Sequence, residues 1–275
     1  LSISTAAYGE DTRYVMAILP CSDVVMTFKK FTPMINFLKQ QAGIDIEVKV
    51  PKDFSELEAG IIKGKIDFVL QDPHTYVRLA PLLNKDNLLK VLNQEGENIQ
   101  RAAVVVRKDS GITNLHDLKG KTVMFGPKLS LTKWLAAKKL FQDNGMDIDK
   151  DLKAYYYGGC CEDITFNVYL KVVDAGVICH HCFCSHGHQQ IELGIEKQQL
   201  VVIGKTEGFP MRVFASRKGL PDDIAARVSL ALLKLDMHNP EYADILHSAE
   251  LGGFRRTSDS DYNLVRTFVG VGRQE

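Results

Sequence analysis

The sequence predicts an α/β protein built as two lobes, and three observations carry that prediction. Short strand-like apolar runs alternate with longer helical ones; the series restarts near residue 120; and the chain passes between the two series twice, near 100–108 and 204–214. Strand–helix alternation calls for an open sheet with helices on both faces. Two passages make a hinge, and a ligand cleft between the lobes is the expected consequence.

The elements follow in order. "RYVMAIL" (13–19) reads as a strand, and "SDVVMTFKKFTPMINFLKQQAG" as a helix with Phe28, Phe31, Ile35 and Leu38 at three- and four-residue steps, stopped by Gly43. Pro33 is expected to bend or divide it. "IDIEVKV" alternates as a strand, "DFSELEAGIIKG" is a short helix with an acid at its start, and "KIDFVLQ" is the near-continuous apolar run of a strand covered on both faces. "PHTYVRLAPLL" opens with Pro73, suited to a first helical turn. "IQRAAVVVRKD" leaves that sheet. The second series then gives strand 121–126, helix 130–144, strand 152–157, helix 161–173 and strand 174–179. "QLVVIGKT" and "RVFASR" lead back to helices near 221–237, 240–248 and 259–269. The lobes are therefore assigned as residues 1–103 with 210–275, and 104–209.

Composition narrows the function. The 275 residues are 45% apolar and 25% charged, enough for a full core. Lys plus Arg and Asp plus Glu are both 34, and this balance argues against a nucleic-acid partner, which calls for a basic face. No apolar run approaches the ~20 residues of a membrane span. The opening "LSISTAAYGEDTRYV" has neither a basic nor an apolar targeting region, so the chain is either cytosolic or has lost its targeting segment. There is no G-x-S-x-G elbow, no HExxH and no phosphate-binding glycine loop, although a Cys–His pair could be assembled from Cys160 with His180 or His181; the expectation from the two-lobed fold is a binder rather than an enzyme, with thiol oxidoreductase chemistry the enzymatic alternative.

Four segments taken together, "LQDPHTYVRL", "AAVVVRKDSGITNLHDLKGKTVMFG", "ASRKGLPDDIAARVSLALLKLD" and "GGFRRTSDSDYNLVRTF", resemble the phosphonate/phosphite-type periplasmic solute-binding proteins. These are a branch of the type II periplasmic-binding-protein fold: two lobes, each an open mixed sheet flanked by helices, joined by a two-strand hinge. The resemblance runs from about residue 13 to the end. It implies export with the signal peptide removed, a periplasmic or extracytoplasmic location, a monomer, closure of the lobes on a small-molecule or ion ligand, and delivery to an ABC permease or a sensor kinase.

The resemblance also points to site residues. Relatives carry a hydroxyl-rich turn opening a helix after the "FG" strand; here Ser130 and Thr132 stand there, where orphan N–H groups favour an anion, although Ser130 also reads as a simple N-cap. Leu129 and Leu131 thin that hydroxyl cluster. Relatives show a ligand-facing histidine after the strand matching 152–157; here Cys160 and Cys161 follow Gly158 and Gly159. His74 and Tyr76 fall in a ligand-contacting turn, with Asp72 a contact or an N-cap, and Cys21 follows the first strand. Ligands in open α/β sheets sit beyond the carboxyl ends of strands, so Cys21, Cys160 and Cys179 are expected to bring sulfur to one cleft.

The stretch 176–190, "GVICHHCFCSHGHQQ", concentrates three of six cysteines and four of eight histidines within the Cys/His-rich region 158–188. Cys160, Cys161, Cys179, His180, His181, Cys182 and Cys184 are thus candidate ligands for a transition-metal ion, a metal cofactor or a metalloid. The spacing Cys179-x2-Cys182-x-Cys184-x-His186-x-His188 matches no standard motif, and Phe183 stands where a c-type haem would need histidine. Structural disulfides with an oxyanion or phosphonate ligand, and redox-active thiols, are the other readings. His186 and His188 read as solvated loop, His238 and His247 as surface or packing residues, and His116 as helix-initiating.

Overall fold

The computed structural model describes residues 13–19, 24–184 and 197–271. Two sheets carry the architecture. The first contains β1 (Tyr14–Ile18), β2 (Ile46–Lys49), β3 (Phe68–Gln71) and β4 (Leu89–Leu92), with Val213–Ser216 and Gly253–Arg256 from the carboxyl end. The second is formed by Ala102–Arg107, Thr122–Phe125, Ala154–Tyr157, Ala175–Cys179 and Leu200–Lys205.

Both sheets share one plan. In the first, β1 lies parallel between β2 and β3, and Val213–Ser216 enters antiparallel between β3 and β4. In the second, Thr122–Phe125 lies parallel between Ala154–Tyr157 and Ala175–Cys179, and Ala102–Arg107 enters antiparallel between Ala175–Cys179 and Leu200–Lys205. In each lobe the inserted strand is the one that has just arrived from the other lobe. The two crossings pair with each other as a short antiparallel ribbon, Phe209 opposite Gln100 and Pro210 opposite Ile99. Ala102 and Ala103, which the sequence reading places in the first lobe, are the first residues of a strand in the second sheet.

Apolar clusters cover both faces of each sheet. β3 is buried along its whole length, as its apolar run requires: Phe68 and Leu70 face one core, Val69 the other. The first long helix, Val24–Ala42, is continuous through Pro33. The Thr32 hydroxyl donates to the Phe28 carbonyl at 2.7 Å within this turn. Asp53 caps helix Phe54–Ile62 by accepting from the Glu56 N–H at 2.8 Å. The expected helix 130–144 is a π-helical segment, Leu131–Ala136, continuing as an α-helix, Ala137–Asp143.

One close approach sets the second lobe. Helix Cys161–Tyr169 buries Cys161, Ile164, Thr165 and Val168, a single stripe at helical spacing, against strand Ala175–Cys179. Gly176 permits this contact, since a Cβ there would stand 2.6 Å from Ile164 Cγ2 and 2.8 Å from Val168 Cγ2. Gly176→Ala is therefore expected to lower stability by about 1–3 kcal/mol through overpacking, read by urea denaturation; an unchanged midpoint would show that the helix moves freely on the sheet.

Candidate functional site

The carboxyl end of strand Ala175–Cys179 runs directly into the short helix His180–Cys184, and helix Cys161–Tyr169 begins beside it. These three termini bring the sulfurs of Cys161, Cys179 and Cys182 within 4.8 Å of one another. The Cys179 backbone N–H donates to Cys161 Sγ at 3.3 Å. None of the described cysteines Cys160, Cys161, Cys179 and Cys182 is joined in a disulfide.

Cys161, not Cys160, enters the cluster, and helical periodicity explains it. Cys161 lies on the stripe that faces the sheet, whereas Cys160 is the N-cap, its Sγ accepting from the Asp163 N–H at 3.5 Å. Across the lobes, burial lowers Lys30 of the first long helix, but Glu250, with smaller contributions from Glu162 and Cys160, raises it above its ordinary range.

The thiols are held in their neutral form. Burial, with a smaller contribution from Glu162, pushes Cys160 up to about 11 against the Asp163 hydrogen bond and Lys30. Cys161 is held well above its usual range by hydrogen bonding with Cys179 and by burial, against the Cys182 contact and the Lys133 charge. For Cys179 the Cys161 contact lowers, while the Cys182 contact and burial raise the thiol to about 12. Cys182 is raised by its contact with Cys161, against that with Cys179, and by burial. Buried thiols of this kind become good ligands only when a cation takes the place of their protons.

Lys133 ties the cluster to the lobe interface. Its Nζ reaches the Gly159 carbonyl at 3.2 Å and Cys161 Sγ at 4.0 Å. Two residues earlier, the Leu131 N–H donates to both carboxylate oxygens of Asp72, at 3.1 and 3.2 Å, across the lobes. Asp72 also caps its own helix, accepting from the His74 N–H at 2.9 Å, and the His74 ring Nδ1 is 3.3 Å from the Leu129 carbonyl. Leu131 is fully buried in the first lobe's core with Tyr76 and Tyr262.

These contacts relocate several residues expected at the ligand. Tyr76 is fully buried; its hydroxyl donates to Asp259 at 2.7 Å and its ring packs on Tyr262, so it is a core residue rather than part of the cleft wall. Thr132 is also buried, at 1% exposure. Ser130 is the N-cap of the π-helical segment, accepting from the Lys133 N–H at 3.2 Å, and the Leu131 N–H beside it is engaged by Asp72. His74 sits half-buried at the interface. Burial lowers His181, with Arg212 and Lys133 acting the same way against Glu95; burial lowers His180, with Lys205 and Arg101 acting the same way against Glu97. Cys184 ends its helix, but its side chain lies outside the described residues, as do Cys21, His186 and His188. Lys133, Arg212 and the bridging role of Asp72 were not singled out in the sequence. The only signal was their position: Lys133 falls one helical turn after Ser130, and Arg212 on the returning crossing.

This geometry, two lobes of matching topology meeting beside a cluster of thiols, is that of a two-lobed solute-binding protein. The sequence matches the family of ABC-transporter phosphonate periplasmic substrate-binding proteins over residues 16–262, and the chain belongs to that family, which places it in the periplasm. The fold is similar to a binding-protein component of an ABC phosphonate transporter from Pseudomonas aeruginosa (TM-score 0.78, 18% identity, 94% of this chain and 85% of that one). It is also similar to PhnD1 of Prochlorococcus marinus in complex with methylphosphonate (TM-score 0.78, 14% identity, 93% and 96% covered). The tetrathionate sensor histidine kinase TtrS of Salmonella typhimurium is 25% identical over 229 residues, covering 79% of this chain but only 38% of the kinase. Among the described residues no helix is long and apolar enough to cross a membrane.

Burial raises the Asp72 carboxyl from 3.8 to about 6, against the N–H groups of His74 and Leu131 and the charges of Arg212 and Lys133. The folded state thus favours the protonated acid. The stability this contributes is complete below pH 3.8 and is lost as pH rises through about 6. Asp72→Asn is expected to gain stability relative to the parent across that window and to keep a constant difference above it, measured by thermal melts. A constant difference throughout would rule out a raised carboxyl.

Proposed function

We propose that the chain is a ligand-capturing module, acting as a monomer and without catalysis, that presents a thiophilic ligand to an ABC permease or to a sensor histidine kinase. The ligand class is a soft transition-metal ion, a metal cofactor or a trivalent metalloid, held by Cys161, Cys179 and Cys182. The observation that carries this reading is the approach of three sulfurs within 4.8 Å. Thiolate donors select soft centres, and a bound cation supplies the charge that would hold three buried thiols deprotonated. His181 and Cys184 share the same short helix and are the candidates for a further donor; Cys160 lies outside the cluster and is assigned to the rim.

Family membership supports the permease, and the likeness to a sensor histidine kinase supports the kinase. A second reading, a sulfur or phosphorus oxyanion, is favoured by the cationic Lys133 and Arg212 and by relatives named for phosphonate and tetrathionate. Such an anion would have to work around Asp72, which already takes the Leu131 N–H.

Titration of the reduced protein with zinc and with arsenite tests the reading. Near-stoichiometric binding is expected, with affinity rising about tenfold per pH unit for each thiolate that must form. Cys161→Ser and Cys179→Ser should each weaken binding by about 100-fold or more, given that loss of a supporting outer-shell contact alone costs about 10–100-fold. Full affinity in both variants would remove these residues from the site.

A further inference from the structure

The cluster combines three properties that a simple packing role does not require. Its sulfurs are close enough for side-chain rotation to bring a pair toward the bonding distance of about 2.05 Å. One of them, Cys161, stands at the amino-terminal residue of its helix with Lys133 Nζ 4.0 Å away, a cation placed where it opposes the burial that keeps this thiol protonated and where it can meet an approaching anion. The surroundings are also mixed but cation-bearing. Lys133 and Arg212 act on His181, and Lys205 and Arg101 act on His180, with Glu95, Glu97 and Glu162 as the nearby acids. An anion that reacts with thiols fits this setting as well as a soft cation does.

We infer that Cys161, Cys179 and Cys182 form a two-electron redox site for an anionic disulfide, a polythionate of which tetrathionate is the probe. This rests on the reading of the cluster as a thiophilic site. Tetrathionate is a disulfide of two thiosulfates, so thiol–disulfide exchange applies to it directly. Cys161 loses its proton to solvent, and its Sγ bonds to one of the two central sulfurs. The central S–S bond breaks, and its electron pair leaves with the first thiosulfate. Cys179 or Cys182 then loses its proton and attacks Cys161 Sγ. The bond between Cys161 Sγ and the attached sulfur breaks, and the second thiosulfate departs with that electron pair. In sum, two thiols are oxidised to one disulfide, one tetrathionate is reduced to two thiosulfates, and two protons are released. The oxidised cluster has lost two of its three thiol donors, so the reaction also switches off capture of a soft metal.

The experiment uses the reduced chain under anaerobic conditions. Zinc and arsenite binding are measured first, and stoichiometric tetrathionate is then added to a separate metal-free sample. The expected result is two thiosulfates released and two thiols lost per chain. Peptide mapping should show a disulfide joining Cys161 to Cys179 or Cys182, and metal capacity should fall at least tenfold after oxidation. Cys161→Ser should slow thiosulfate release at least tenfold. No thiosulfate release, or a disulfide mapped wholly among other cysteines, overturns the inference, and the mapping on the parent protein decides it even where the variant does not fold. Thiosulfate release without metal binding keeps the redox assignment and removes the metal ligand; metal binding without thiosulfate release does the reverse.

Discussion

The carboxylate of Asp72 accepts backbone N–H groups from both lobes at once, His74 on its own helix and Leu131 across the cleft. That one acceptor, together with the burial of Leu131 in the opposite core, fixes how the two halves of the molecule meet. Lys133 follows Leu131 by two residues and carries the register of the contact to Cys161. The chain satisfies with its own acid a helix-terminal N–H that would otherwise be open to a bound anion. A half-buried carboxylate is an expensive way to do so, and its raised pKa is the measure of the cost.

The thiol cluster depends on a second constraint, the absence of a side chain at Gly176. The helix that begins with Cys161 lies on the sheet at a separation no larger residue allows. Its first turn therefore meets the end of strand Ala175–Cys179, and Cys182, one turn further on, completes the triangle. No loop has to be ordered to assemble these three donors. They are fixed by secondary structure, the arrangement that the proposed capture of a soft ligand would call for.

Much of the fold was legible in the sequence because its signals were local. The apolar run of β3, the cap at Asp53, Pro73 in a first helical turn and the repeated strand–helix alternation each specify an element without reference to the rest of the chain. The site was less legible because it is made of contacts between elements. The choice between Cys160 and Cys161 was in principle readable, since residues 161, 164, 165 and 168 mark a buried stripe that excludes Cys160. Tyr76 was misplaced for a different reason: its partner, Asp259, lies 183 positions away, and no local pattern announces that hydrogen bond. The same holds for Asp72, whose role as a cap was readable and whose bond to Leu131 was not. The pi-helical winding of Leu131–Ala136 likewise gives no signature in the residue pattern, which is that of an ordinary helix.

The pairing of the two crossings has a mechanical consequence. Phe209 and Pro210 lie against Gln100 and Ile99, and the Gln100 amide donates to the Pro210 carbonyl at 3.3 Å, so the two connections are zipped into one strip instead of running as separate strings. A strip bends easily about a line across its width and resists bending within its own plane. On the solute-capture reading proposed above, any opening or closing of the halves would have to be accommodated by this one ribbon, as a change in a single angle.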